Sequence, residues 1–286
     1  MIYLDISDFN ITIVGLGLIG GSYAMALRAL NPKNIWAIDI NKETLEKAEK
    51  TGMIDKGYID EKNFLKKSDL VIICLYPDLI VEFIRDNQKN FKKGAIITDT
   101  AGIKGDIVNN VNTFISEDID FISGHPMAGS ENKGFDFATK DLFKNANYII
   151  TPSEKNKEEN INLLIALAKK IGCRNVVKID PQRHDEIIAL TSHLTHVLAV
   201  TLVNSNVLDI DTRLFIGGSF RDASRVALIN SELWSQLLIS NKKHVVNQIE
   251  TFENNLKSIK DAIMNDDINF LQDKFNEASC KRRELI

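Results

Sequence analysis

Along the first half of the chain, short β-branched runs take turns with longer stretches whose apolar positions recur at helical spacing. Ile11-Thr12-Ile13-Val14 predicts a strand, and Ile19 to Leu30 predicts the helix after it. Ile35-Trp36-Ala37-Ile38-Asp39 predicts a second strand, followed by a helix from Lys42 to Lys50. Leu70-Val71-Ile72-Ile73-Cys74-Leu75 is apolar at every position, as a strand covered on both faces must be. Ala95-Ile96-Ile97-Thr98-Asp99, Phe121-Ile122 and Tyr148-Ile149-Ile150-Thr151 complete the series. Strands separated by helices predict an α/β domain on a mainly parallel sheet.

After Ile179 the pattern changes. Pro181 can open a helix, because its fixed φ suits the first helical position. From there to Ile286 the periodicity is helical with few strand signals, and Gly217-Gly218-Ser219 is the clearest internal break. The expected division is an α/β domain over residues 1–179 and an all-helical domain over 180–286. By analogy with other two-part chains, the helical part serves substrate binding and dimerisation.

Composition narrows the setting. A length of 286 residues fits about two domains. Hydrophobic residues at 44% and charged residues at 26% are ordinary for a soluble globular protein. A net charge of -4 gives no electrostatic reason to expect nucleic acid or an anionic membrane as partner. No apolar run approaches the ~20 residues of a spanning helix. The N-terminal MIYLDISDFN lacks a basic region followed by an apolar core. A cytoplasmic protein is expected. Cys74, Cys173 and Cys280 are odd in number and far apart, which does not compose a disulfide framework or a zinc knuckle. Cys74, inside LVIICL, reads as packing.

The first chemical signal is Gly15-Leu16-Gly17-Leu18-Ile19-Gly20-Gly21, which fits GxGxxG. It follows a strand and opens a helix rich in small residues (Ser22, Ala24, Ala26). Gly15 permits the tight turn, Gly17 lets backbone N–H groups approach a pyrophosphate, and Gly20 lets helix and strand pack closely. With Leu18 and Ile19 at the entry to the helix, a pyrophosphate is expected at its positive end. Asp39 ends the second strand about 20 residues further on, where a carboxylate accepts hydrogen bonds from ribose hydroxyls and repels a 2′-phosphate. No Arg occurs among Ile40, Asn41 and Lys42, so NAD is expected over NADP. The plainer alternative is a glycine turn with Asp39 as a helix N-cap. The dinucleotide reading makes the first domain a Rossmann-type, doubly wound fold.

The second signal is Ser123-Gly124-His125-Pro126-Met127-Ala128-Gly129-Ser130-Glu131, directly after an apolar run. A histidine between Gly and Pro is either a turn residue or one placed to handle a proton. Its position after a strand agrees with the second, since ligands of such sheets lie outside the carboxyl ends of the strands, but leaves both readings open.

Together with GLGLIGGS, four further stretches carry a resemblance: TDTAGIKG at 98–105, GHPMAGSE at 124–131, HDEIIALTSHLTHVLA at 184–199 and GGSFRDASRVA at 217–227. In order and spacing they resemble the prephenate dehydrogenase (TyrA) family of tyrosine biosynthesis over nearly the whole chain. The resemblance implies NAD-dependent oxidative decarboxylation of prephenate to 4-hydroxyphenylpyruvate, with arogenate as the alternative substrate and a homodimer formed through the helical domain. An imine reductase or 3-hydroxyacid dehydrogenase shares the two-domain layout but does not call for GHPMAGSE or GGSFRDASR.

By the same resemblance His125 is the catalytic histidine that meets the substrate 4-hydroxyl. An ordinary pKa near 6.5 suits a neutral acceptor. Glu131 matches an acidic residue near the site entrance. His196 points at the substrate side chain, with His193 in support; this HxxH pair has no evident third ligand, and no metal is expected. Arg225 matches the arginine that holds a substrate carboxylate, a task for a planar bidentate donor. Asp222, three residues earlier, is placed to orient it, and Trp234 matches a tryptophan near the pocket. His184 and Asp185 read as mainly architectural, and Lys104 as a surface lysine. One departure stands out. The family's serine in the TDTAGIKG stretch is Gly102 here, so its role falls to Thr100, to water, or to nothing.

Overall fold

The computed structural model describes residues 5–60, 63–130, 132–205 and 209–285. Its first part runs β1 (Asn10–Val14), α1 (Leu18–Arg28), β2 (Asn34–Ile38), α2 (Lys42–Lys50), β3 (Lys56–Tyr58), β4 (Leu70–Ile73), α3 (Pro77–Asn87), β5 (Ile96–Asp99), α4 (Gly105–Asn112) and β6 (Asp120–Phe121). The strands form a six-stranded sheet in the order β3-β2-β1-β4-β5-β6, with every pairing parallel. The chain winds outward from β1 to β3 and then returns to β4 on the other side. The carboxyl ends of β1 and β4 therefore flank the switch point where such sheets bind ligands.

Alternation along the strands explains why both faces are covered. Ile11, Ile13, Ile35, Leu70 and Ile72 pack into one core with Tyr23, Ala24 and Leu27 of α1. Their neighbours Val14, Val71, Ile73 and Ile97 pack into a second core with Ile80 and Ile84 of α3 and Val111 of α4. Each such side chain taken fully out of water contributes about 1.5–3 kcal/mol. Asn41 caps α2, its Oδ1 accepting the Thr44 N–H at 3.1 Å.

Beyond β6 the strand series does not extend this sheet. β7 (Ser123–Pro126), β8 (Asn147–Thr151) and β9 (Asn175–Lys178) form a separate three-stranded sheet, with α5 (Glu158–Lys170) as the crossover between β8 and β9. β7 is antiparallel to β8, and β8 is parallel to β9. The change of sheet is fixed by Asp120. Its carboxylate accepts hydrogen bonds from Asn156 (2.7 Å), Asn160 (2.8 Å) and the Lys157 backbone (3.0 Å), anchoring the start of α5 beside β6. Mostly exposed, β9 lacks the apolar run that announces a strand.

From Pro181 the described chain is helical: α6 (Pro181–Ile188), a π-helical turn (Ala189–Leu194), α7 (Thr195–Asn204), α8 (Ile210–Leu214), α9 (Gly218–Ser224), α10 (Ser231–Ser240), α11 (Lys242–Met264) and α12 (Ile268–Glu284). Pro181 stands at the first turn of α6, and Asp180 caps it by accepting from the N–H groups of Gln182 and Arg183. Leu237 of α10 is buried in the same core as α3 and α4, which ties the helices to the sheet.

One expectation needs correcting. α6, the π turn and α7 form a continuous helix, Pro181–Asn204, with a window of mean hydropathy 1.5; by length and composition alone it is long and apolar enough to cross a membrane. Its charged residues, Arg183, Asp185 and Glu186, all lie near its start, which raises the mean hydropathy of the remainder. In the fold this helix buries His184, Asp185 and His193 against the rest of the protein.

Candidate active site

Between the sheet and the helices lies a cleft of about 560 Å³. Gly17, Leu18 and Ile19 form one side of it; His125, His196, Arg225 and Trp234 also line it. Residues read from five separate stretches thus meet in one place.

The glycine loop shows three different needs. Gly15 has φ +87°, and a Cβ there would lie 2.6 Å from the Cys74 carbonyl oxygen. At Gly20 a Cβ would lie 1.9 Å from the Gly15 carbonyl oxygen, so helix and loop touch backbone to backbone. At Gly17 a Cβ would meet nothing within 4 Å, because that position opens onto the cleft. No side chain caps the start of α1, whose leading N–H groups stay available for a phosphate. Asp39 reaches back to this loop: Oδ2 accepts the Leu16 N–H at 2.6 Å and Oδ1 the Asn41 N–H at 2.8 Å. These residues fit a dinucleotide on geometry: an open backbone turn, a free helix N-terminus and a carboxylate with remaining lone pairs.

His125 sits on β7, opposite Ile149. Gly124 before it has no room for a side chain, because a Cβ would lie 2.6 Å from the Tyr148 hydroxyl. That hydroxyl is held in turn by Tyr23, at 3.2 Å. Nδ1 of His125 lies 2.9 Å from Nε2 of His184, and Nδ1 of His184 lies 2.7 Å from Oδ1 of Asp185. Both Asp185 oxygens also accept backbone N–H groups, from Lys104 (2.9 Å) and Gly105 (2.8 Å). Burial, with added contributions from His184, Lys104 and His193 nearby, pushes the His125 pKa well below its usual value. The ring is neutral at cellular pH.

The loop beneath His125 is anchored by a pair that the sequence reading places differently. Lys104 is not on the surface but fully buried, its Nζ 2.5 Å from Asp99 Oδ2. Asp99 also accepts from the Ser123 hydroxyl (2.5 Å) and the Ala101 N–H (3.0 Å). Its partner lies one turn of chain earlier, at a strand end, so no surface pattern marks the lysine as internal. At Gly102 a Cβ would lie 3.9 Å from Cε1 of His125. Thr100 does not replace the missing serine at the histidine: its hydroxyl donates to the Ile73 carbonyl at 3.4 Å.

On the helical side the π turn shapes the wall. His196 donates from Nδ1 to the Ser192 carbonyl (2.9 Å) and stacks on Trp234, ring centroids 3.6 Å apart. His193 is buried, accepts at Nδ1 from Asn241 (3.2 Å), and has its pKa pushed down by burial to about 4. Arg225 begins a short 3-10 turn after α9 and is exposed to the cleft. Asp222 is exposed on α9, does not line the cleft, and makes no ion pair with Arg225 among the described residues. Glu131 lies outside the described residues. Sequence reasoning missed Lys133 and Asn132, which line the cleft near the glycine-rich turn.

A glycine loop at a sheet's switch point, a neutral histidine facing it and a helical wall carrying an arginine define a nicotinamide-dependent dehydrogenase. Residues 23–177 match the nucleotide-binding domain of prephenate dehydrogenase, and residues 180–277 match its dimerization domain; the chain belongs to the prephenate dehydrogenase family. It is similar to the prephenate dehydrogenase of Bacillus subtilis (strain 168), 30% identical over 283 residues, covering 96% of this chain and 76% of the relative. A solved prephenate dehydrogenase from A. aeolicus, in complex with hydroxyphenyl propionate and NAD⁺, superposes with a TM-score of 0.89 at 28% identity, over 97% of this chain and 98% of that one. Synechocystis arogenate dehydrogenase superposes with a TM-score of 0.83 at 27% identity, over 97% and 100%. The chain is an NAD-dependent oxidoreductase with a Rossmann-type first domain and a helical second one.

Proposed function

We propose that this chain catalyses the oxidative decarboxylation of prephenate to 4-hydroxyphenylpyruvate, a step of tyrosine biosynthesis. The observation that carries the reading is His125: Nδ1 is engaged by His184, and Nε2 has no hydrogen-bond partner among the described residues of the cleft. Gly15, Gly17, Leu18, Ile19, Gly20 and Asp39 would hold NAD⁺, which would supply the acceptor for the hydride at C4 of the substrate.

The chain's own residues do the rest. His125 Nε2 accepts the 4-hydroxyl proton as the carbonyl forms at C4. Loss of the ring carboxylate as carbon dioxide then leaves its electron pair in the ring, and the resulting phenolate takes the proton back from His125. Aromatisation supplies much of the driving force, so the protein's task is to position the ring and manage one proton. Arg225 holds a carboxylate, in keeping with its planar pair of donors. His196, braced on Trp234, faces the side chain.

Charge favours prephenate over arogenate. Among the described residues lining the cleft there is no carboxylate, while Arg225 and Lys133 contribute positive charge. Among the described residues arogenate's ammonium group finds no anionic partner, and burying it unpaired is costly; Glu131 is the carboxylate outside them that bears on this choice. Steady-state assays of prephenate and arogenate, each with NAD⁺ and NADP⁺, test the reading. Prephenate with NAD⁺ is expected to give the highest kcat/KM; a preference for arogenate overturns the substrate assignment.

We also propose that residues 1–179 form the nucleotide-binding unit and residues 180–286 the substrate-binding and dimerising unit. Leu214 (82% exposed) and Phe215 (87%) present apolar surface on the helical side, which supports a homodimer. Three free cysteines accord with a reducing, cytoplasmic setting. No role for nucleic acid, membrane or metal enters this reading.

A further inference from the structure

We propose that His184 and Asp185 are a positioning pair that fixes His125 in the tautomer with its proton on Nδ1 and its lone pair on Nε2. This deepens the functional reading above and rests on it for the identity of the reacting hydroxyl.

Hydrogen-bond polarity along the row settles the direction. The Asp185 carboxylate only accepts, and its two oxygens already receive the Lys104 and Gly105 backbone N–H groups. The His184 nitrogen beside it, Nδ1, must therefore carry a proton. A neutral His184 then has its lone pair on Nε2, which can only accept. The His125 nitrogen facing it, Nδ1, must donate, and Nε2 is left as the acceptor on the cleft. A carboxylate two residues removed from the cleft thus dictates which nitrogen meets the substrate.

The surroundings hold this row in place. His184 and Asp185 are 2% and 6% exposed. Asp180 and Pro181 fix the start of their helix, and Asn241 of α11 donates to the Asp185 carbonyl at 2.8 Å. The other titratable groups facing His125 are Lys104, already bound to Asp99, and His193, bound to Asn241. Neither is hydrogen-bonded to the His125 ring, and Thr100 turns away to Ile73. His184 is therefore the one group among the described residues that hydrogen-bonds the ring. When Nε2 gains the hydroxyl proton, the imidazolium stays on His125 and is stabilised through its Nδ1–H bond to His184, which is itself bound to the Asp185 carboxylate.

The test is nitrogen NMR of the full-length protein with ¹⁵N-labelled histidine at neutral pH. With five histidines in the chain, single substitutions assign the spectrum. His125 and His184 are both expected to be protonated on Nδ1 and bare on Nε2. Asp185→Asn replaces the acceptor with an amide whose NH₂ can donate to His184 Nδ1, and both rings are expected to switch to the Nε2–H form. A wild-type His125 protonated on Nε2, or an Asp185→Asn spectrum unchanged from wild type, overturns the proposal. Kinetics supply a second check. His184→Leu is expected to lower kcat about 10²-fold with the KM for prephenate within about threefold. His184→Gln, whose carbonyl can still accept from His125 Nδ1, is expected to recover roughly a tenth or more of wild-type turnover. Equal losses in the two variants also overturn it. The NMR arm needs no substrate, so it stands or falls separately from the choice of prephenate.

Discussion

The two sides of the cleft are built by different means. On the glycine-loop side, the functional atoms are backbone N–H groups, and seven consecutive residues place them. Each glycine there answers a local steric need: a positive φ at Gly15, open space at Gly17, backbone contact at Gly20. On the opposite side the functional atoms belong to side chains from β7, the π turn, α7, the 3-10 turn after α9, and α10. No single segment there has any chemistry by itself. The cofactor side is a property of a stretch of chain, whereas the substrate side is a property of the tertiary fold. Damage to the second should therefore separate turnover, substrate binding and stability from one another.

The largest effect is expected from His125→Asn. Turnover should fall about 10²–10⁴-fold, the usual share of a positioned acid–base group. NAD⁺ affinity, measured by fluorescence titration, should stay within about twofold of wild type, because the loop is untouched; a parallel loss of cofactor binding would join the two sides where the structure separates them. Next comes Lys104→Met. It strands the buried Asp99 without its cation, a change that costs about 3–5 kcal/mol in proteins generally. Urea unfolding should show a lower midpoint and an unfolding free energy reduced by that order, with the loop beneath His125 disturbed.

How much of this was legible beforehand follows the same division. Five of the six strands of the large sheet and the glycine loop are written in local patterns, and so is Asp39 at the end of β2; the edge strand β3, Lys56-Gly57-Tyr58, has no apolar run and went unread. His125, His196, Arg225 and Trp234 come together in the cleft, but it was the family resemblance, not their spacing, that drew them from separate stretches. What stayed hidden depends on contacts between distant parts. The His125–His184 bond joins residues 59 positions apart, and nothing in the HDEII helix start says which strand it will meet. Lys104 reads as a surface lysine because its partner Asp99 ends a strand and turns inward. Asp222 illustrates the reverse error: spacing suggests a helical pair with Arg225, but both residues are exposed and no ion pair forms between them among the described residues.

A smaller effect is expected from Arg225→Ala. Losing charged hydrogen bonds worth about 1.5–3 kcal/mol should raise the KM for prephenate about ten- to a hundredfold while kcat changes less. A fall in kcat at constant KM would instead mean that Arg225 acts on the transition state alone. The smallest change belongs to the cofactor side. Asp39→Asn keeps an acceptor for the Leu16 N–H but removes the charge, and should narrow the preference for NAD⁺ over NADP⁺ by roughly tenfold, about 1.4 kcal/mol. An unchanged ratio would remove Asp39 from the ribose site.

The substrate side rests on a neutral His125, and the pH dependence of kcat/KM for prephenate with NAD⁺ tests that most directly. Burial lowers the His125 pKa, and the base form is the active one. Activity should therefore be flat from pH 8 down past the ordinary histidine value near 6.5, and fall only at more acid pH. Activity that instead rises as pH falls through 6.5, or that is already half lost at 6.5, would contradict a neutral, proton-accepting His125.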